Sequence, residues 1–383
     1  MKSLLLVLGL LLSIIKENSL RQIVFKVSIP GEQLRFHFSN VYEKEELELK
    51  SVHILVVLYW KPKSLSMDNI MVRFLLNGDS VSDIIPFSLS ALDEVTITIQ
   101  YGKIPFDFTG HTSSRTYSFV ELGNAVSKET FRSIHKFLHW FTIAAIDVVD
   151  NEKKTEAILC YGDLITDGRG STNDKQNRWP DVLSERLQNH PAIRHLAIFK
   201  SSYWRYQKDV TEQVNVKYMI VLYGVNDISL QTSREFIKRN RERGIITYGS
   251  PIFFSNLKAT RVGLKKRIAF KEMANEGGYD AIIDFSSVVA DPNDRMVLKA
   301  DLSDGDGLHP NYLGYAAMGN SIDLRLFIND ENVDENVDEN VDENEDENEE
   351  DLIHSDEENI ENDEFFDSEV TAINEAEDSI DDE

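Results

Sequence analysis

The strongest constraint on this fold is a change of pattern near residue 156. From there the chain alternates short apolar runs with longer stretches of helical spacing. AILCYG (157–162), IRHLAIF (193–199), KYMIVLYG (217–224), IITYGSPIFF (245–254) and YDAIIDF (279–285) read as buried strands. Between and after them, RWPDVLSERLQ, SREFIKRNRERG, VGLKKRIAFKEMANEGG and NYLGYAAMGNSIDLRLF read as helices. Pro180 sits in the first turn of one, and Gly244 closes another. A strand that is apolar throughout must be covered on both faces, and strand–helix alternation supplies that cover. The expectation is a parallel sheet in a three-layer α/β/α arrangement. In such sheets chemistry gathers in loops at the carboxyl ends of the strands. Those loops are GDLITDG (162–168), the segment after Phe199, GVNDIS (224–229), SPIFFSN (250–256) and DGDGLHP (304–310).

Before that change the pattern is different. IVFKVSI, QLRFHFSN, VHILVVLYW, VTITIQYG and TYSFVEL alternate or are rich in β-branched and aromatic residues, with Gly, Pro, Asn and Asp between several of them. This predicts a β-sandwich over residues 19–150 ahead of an α/β domain over 151–328. KETFRSIHKFLHWF (128–141) fits either a connecting helix or another strand pair.

Residues 329–383 are of another kind. From Asp330 to Glu383 there are 28 acidic residues and no Lys or Arg, opening with a repeat of NVDE. Low-complexity acidic sequence cannot bury enough apolar area to offset chain entropy, so this segment is expected to be disordered. The formal net charge of −26 belongs to it, because the remainder holds 38 acidic against 40 basic groups. A near-neutral body beside a polyanion has no basic surplus for phosphates, which excludes nucleic acid as an expected partner. The tail's carboxylates offer no fixed ligand geometry, so weak, salt-sensitive cation binding is all they imply.

At the other end, residues 3–15 (SLLLVLGLLLSII) follow Lys2. The run is short of the roughly 20 residues that span a bilayer and reads as a secretory signal over residues 1–18. KENS then replaces the small residues that mark a cleavage site, so a cytoplasmic chain is the alternative. No stable membrane span is expected elsewhere. The single cysteine, Cys160, lies inside a strand and reads as a core residue.

Three loop segments then stand out. YGDLITDGRGSTNDKQNRWPDVLSERL (161–187) resembles the first block of SGNH (GDSL-like) hydrolases, in the subgroup reading close to GDSITDGRGST…RWPD. YGVNDI resembles the block carrying an oxyanion asparagine, and DGLHPNYLGYAAM the block carrying Asp-x-x-His. LRQIV, QLRFHFSN and SSRTYSF resemble the β-sandwich that precedes the hydrolase in this subgroup, and GYDAIIDFSSVVADP also matches. The resemblance covers about residues 19–328. It implies a flavodoxin-like sheet and hydrolysis of carboxylic esters on carbohydrate or lipid, hence a carbohydrate or acyl-ester ligand. That chemistry needs a serine activated by histidine, an aspartate fixing the histidine's tautomer, and donors aimed at the oxyanion. Carried over, His309 is the base, Asp306 its orienting partner and Asn226 an oxyanion donor. Gly162, Asp163, Gly224 and Asp227 support them.

Two elements of the pattern are missing. The nucleophile position is Leu164, which offers no oxygen, proton or lone pair. The glycine-rich second block has no counterpart, because HLAIFKSSYWRYQKDV runs almost straight from strand to Lys208-Asp209-Val210. Tyr203, Trp204 and Tyr206 sit where it would be, placed to fill the vacated cleft or to line a sugar platform. Thr166, Ser171 and Thr172 are nearby hydroxyls, but the turn that presents position 164 does not present them. The chain therefore reads as a pseudoenzyme of this family. No cofactor is implied. Asp304 and Asp306 fit neither a calcium loop nor a zinc set, so no metal is expected.

Overall fold

The computed structural model describes residues 19–41, 45–56, 63–65, 72–73, 78–105, 109–123, 135–149, 156–190, 196–201, 215–223, 230–251 and 278–328. All belong to one unit, Met1–Glu335. The signal-like segment 1–18, the aromatic cluster 203–206, the expected helix over 262–277 and the acidic tail lie outside the described residues.

Thirteen strands precede residue 150 among the described residues: β1 (Ser19–Lys26), β2 (Gly31–Ser39), β3 (Glu48–Val56), β4 (Lys63–Leu65), β5 (Val72–Arg73), β6 (Asp79–Val81), β7 (Ile85–Leu89), β8 (Glu94–Tyr101), β9 (Gly110–Thr112), β10 (Ser118–Leu122), β11 (His135–Phe137), β12 (His139–Phe141) and β13 (Ile143–Val148). One sheet runs β11-β10-β1-β8-β3-β4, with β5 also on β3. A second runs β13-β2-β6, with β7 also on β2, and β9 pairs with β12. The pairings are antiparallel.

The two larger sheets share one core. Leu34, Phe36 and Phe38 alternate inward on β2, as do Ile85, Phe87 and Leu89 on β7. They meet Val52 and Ile54 of β3 and Val95, Ile97, Ile99 and Tyr101 of β8. Each large apolar side chain buried this way contributes about 1.5–3 kcal/mol. Segment 135–141 takes the strand form, not the helical one, because Phe137 and His139 are held in ladders with β10 and β9.

After residue 156 come β14 (Glu156–Gly162), β15 (Leu196–Ser201), β16 (Val216–Tyr223), β17 (Ile246–Pro251) and β18 (Ala281–Ile282). They pair in parallel in the order β15-β14-β16-β17-β18. Counted along the chain this is 2-1-3-4-5, a doubly wound order whose direction reverses between β14 and β16. Among the described residues the α-helices are α1 (Leu164–Asp167), α2 (Trp179–Asn189), α3 (Leu230–Glu242), α4 (Phe285–Val289) and α5 (Tyr312–Ser321).

Alternation along β14 sends Ile158 and Cys160 to one face and Leu159 and Tyr161 to the other. The first face is covered by Trp179, Leu183 and Leu187 of α2, Phe285 and Val289 of α4, and Tyr315 and Met318 of α5. On the second, Phe236 of α3 meets the Tyr161 ring edge-on, with centroids 5.9 Å apart. Cys160 is fully buried.

Two expectations are corrected. The strand expected over 279–285 shrinks to Ala281–Ile282, because Asp284 caps α4 by accepting the Ser287 N–H at 3.1 Å. The final helix expected over 311–327 breaks at Ile322. Asp323 there accepts the Arg325 N–H and starts a separate 3₁₀ turn, Leu324–Phe327. A short antiparallel hairpin, β19 (Ala290–Asp291) and β20 (Asp294–Leu298), was not foreseen.

Candidate functional site

β14 ends at Gly162 because nothing larger fits there. A Cβ at that position would lie 2.1 Å from Thr166 Oγ1 and 2.8 Å from the Leu222 carbonyl on β16. The chain turns directly into α1, whose cap is Asp163, with Oδ1 accepting the Ile165 N–H at 3.1 Å. Leu164, the next residue, is 44% exposed at the carboxyl end of the sheet. Gly168 closes α1 at φ +95°, and its N–H returns to Leu164 and Ile165.

His309 approaches from the segment before α5. The loop 303–310 is closed by a bridge between Ser303 and Pro310 and by the Asp304 N–H donating to the His309 carbonyl at 2.9 Å. Gly305 (φ +102°) and Gly307 (φ +71°) take its left-handed turns. The Ser303 hydroxyl accepts from both of their N–H groups. Asn311 anchors the exit: its amide donates to the Asp301 and Ser303 carbonyls, and its oxygen caps α5 at Leu313 and Gly314.

In this loop Asp306 and His309 meet. Asp306 Oδ1 accepts the Leu308 and His309 backbone N–H groups, both at 2.8 Å, and Oδ2 lies 2.6 Å from His309 Nδ1. His309 is 3% exposed. Burial pushes the Asp306 carboxyl upward, but the His309 backbone N–H, its ring and the Leu308 N–H outweigh that. The group is held well below the usual carboxylate range. An Asp306 carboxylate held this way can accept the Nδ1 proton, and in that tautomer Nε2 carries the ring's lone pair. That is the tautomer general-base chemistry requires.

Ligand atoms of Asp304, Asp306 and His309 lie within 4.8 Å of one another. Both Asp306 oxygens face N–H donors, and Oδ2 lies against His309 Nδ1.

Two further residues were not singled out from sequence. Arg169 Nη2 lies 3.6 Å from Asp306 Oδ2, and its carbonyl accepts the Tyr315 hydroxyl at 2.6 Å. Tyr315 is fully buried, and burial raises its hydroxyl far above the ordinary tyrosine range. Arg169 carried a signal, since it lies within the GRGST run of the first block, but its partner could be named only in three dimensions. Gly170 completes the contact: at φ +90°, a Cβ there would meet the Pro310 carbonyl at 2.3 Å. The α1 turn and the His309 loop are therefore pressed together.

The structure brings Asp306 and His309 into hydrogen-bond contact and packs the turn after Leu164 against their loop. Gly162 and Asp163 shape that turn. Gly224, Asn226 and Asp227 lie outside the described residues, as does the segment where the second block would be. Among the described residues no helix is long and apolar enough to cross a membrane.

Residues 160–317 match the sequence profile of the GDSL-like Lipase/Acylhydrolase family. Among solved structures, the chain is similar to the psychrotrophic esterase EstA from Pseudoalteromonas sp. at 15% identity. That match covers 43% of this chain and 93% of that one, with a TM-score of 0.36. It is also similar to a family two carbohydrate esterase from Clostridium thermocellum, in complex with cellohexaose, at 10% identity. There it covers 77% of this chain and 91% of that one, with a TM-score of 0.35. No curated protein matches the chain.

Proposed function

We propose that this chain, whose residues 160–317 form a GDSL-like lipase/acylhydrolase domain, keeps an esterase-type cleft for a carbohydrate or acyl ester but has lost acyl-enzyme turnover. In this reading residues 19–150 are a β-sandwich module and 151–328 the hydrolase-like domain. One observation carries the reading. An exposed leucine follows Gly162-Asp163, the position at which the resemblance puts the family's serine, while Asp306 Oδ2 and His309 Nδ1 lie within hydrogen-bond distance.

The magnitudes favour loss of turnover. Removing the nucleophilic serine from a serine–histidine–aspartate unit costs on the order of a millionfold in turnover, because the three groups act as one. Lacking one oxyanion donor costs roughly a further hundred- to thousandfold. Binding does not need the hydroxyl, so affinity for the ester can outlast chemistry. The preserved Asp306–His309 pair favours a second reading, a weak esterase in which Nε2 activates water directly.

The purified chain is treated with a fluorophosphonate probe and assayed on p-nitrophenyl acetate. No labelling and no turnover above buffer are expected, and labelling at any serine overturns the reading. Leu164→Ser alone is expected to restore little activity, because the oxyanion glycine is still missing. Saturation-transfer NMR with partially acetylated xylo-oligosaccharides tests the retained ligand. In the same reading the signal-like segment 1–18 directs the chain to the secretory pathway, a proposal that amino-terminal sequencing of secreted protein tests.

A further inference from the structure

We propose that β9 and the loop joining it to β10 are a positioning element for the His309 loop, acting through residues 167–174. It holds that stretch at both ends. At one end, His111 Nε2 lies 3.0 Å from Asp167 Oδ1 at the close of α1. At the other, the Asp174 N–H donates to the Arg115 carbonyl at 2.9 Å, and the Tyr117 N–H donates to Asp174 Oδ1 at 2.8 Å. Arg115 (φ +60°) and Asp174 (φ +62°) both sit in the left-handed region. Aspartate tolerates that conformation, but arginine does so only where its surroundings impose it. The strain at Arg115, on one side of this reciprocal contact, marks a junction that the fold maintains at a cost.

Between these two fastenings lie Arg169 and Gly170, the residues that touch the His309 loop. Arg169 faces Asp306, Gly170 packs on Pro310, and the Tyr315 hydroxyl fixes the Arg169 backbone. Arg115, Asp304, Asp163, Asp167 and Arg178 are charged groups that also act on Tyr315. A rigid path thus runs from the N-terminal sheets to the Asp306 carboxylate. β9 and the loop after it set how firmly Arg169 is presented to Asp306, and so the field at His309. Arg169 and the loop residues are positioning residues, and the proposal rests on reading Asp306 and His309 as the cleft's working pair.

The test follows the His309 ring by NMR titration in the full-length chain. A unit charge about 6 Å from an imidazole, under water-like screening, moves its midpoint by about half a pH unit. Arg169→Gln removes a positive charge, which favours the protonated ring, so the midpoint should rise by about that amount. The double variant His111→Ala/Asp174→Ala leaves Arg169 in place but frees its segment. It should give a rise of at least half that size. His111→Gln, which keeps a donor toward Asp167, should restore most of the wild-type midpoint when combined with native Asp174. His37→Ala breaks a distant pair with Asp147 and should leave His309 unmoved. Thermal midpoints and amide spectra establish that each variant folds. The proposal is overturned if the double variant titrates like wild type while Arg169→Gln shifts, if Arg169→Gln itself does nothing, or if His37→Ala shifts His309 equally. Ester binding is measured separately, so failure here is distinct from absence of a ligand.

Discussion

Replacing Gly170 with alanine tests whether the α1 turn is pressed against the His309 loop. At φ +90° any side chain is strained, which costs about 1–2 kcal/mol. The new Cβ would also stand 2.3 Å from the Pro310 carbonyl oxygen and 3.0 Å from Asp304 Cβ. Carbon–oxygen contacts settle near 3.3–3.6 Å, so Pro310 must retreat by about 1 Å. That oxygen is backbone, and no side chain can rotate to relieve it. Overpacking of this kind costs about 1–3 kcal/mol more. Gly305 is the matched control, with φ +102° and nothing within 4 Å of a built Cβ. Gly305→Ala should lose only the strain. Urea unfolding at constant m reads both losses. Gly170→Ala should exceed Gly305→Ala by at least about 1 kcal/mol and shift the His309 ring resonances. Equal losses would refute the contact between turn and loop.

Other outcomes follow from the same geometry. Arg178 is 5% exposed at the start of α2, its guanidinium bound to Asp181 through Nε and Nη2. Asp181→Ala strands that buried cation and should cost about 3–5 kcal/mol by thermal or urea unfolding. Asp306 has its folded pKa depressed below the ordinary 3.8. Its contribution to stability is therefore complete above that value and is lost as pH falls below it toward the folded pKa. Urea midpoints between pH 5 and pH 2 should fall less steeply for Asp306→Asn than for wild type. Removing residues 329–383 should leave the unfolding midpoint unchanged, since their composition cannot support a core; a lower midpoint contradicts this.

Some of this was legible in the sequence for a simple reason. β14, β16 and α2 are apolar or periodic enough that their local pattern and their final burial coincide, down to Pro180 in the first turn of α2. Short elements were not. β6, β9 and β13 are ladders of three to six residues whose register comes from neighbours far along the chain, as when β13 pairs with β2. The break at Ile322 hides because Asp323 is an ordinary polar residue until its oxygen is seen capping Arg325. The site divides the same way. Asp306 and His309 are three residues apart, so one turn joins them and sequence finds both. Arg169 reaches Asp306 across 137 positions, and no local pattern encodes that meeting.

The Asp306–His309 geometry carries less weight about turnover than its shape invites. Both backbone donors to Asp306 come from its own loop, and Ser303, Asp304 and Asn311 close that loop with further bonds of their own. Nothing in that set requires a hydroxyl at position 164, so the pair keeps its geometry with leucine there. The α1 turn is equally indifferent. Gly162 sets its approach to β16, Asp163 caps it, and the side chain at 164 points far enough into solvent to be 44% exposed. Leu164→Ser should therefore fold with a stability change within about 0.5 kcal/mol, the usual range for an exposed position. If it does, low activity on p-nitrophenyl acetate would fit the proposed absence of an oxyanion block and not a damaged fold. A loss of several kcal/mol would mean instead that Leu164 is a packing residue, and that the turn has been rebuilt around it.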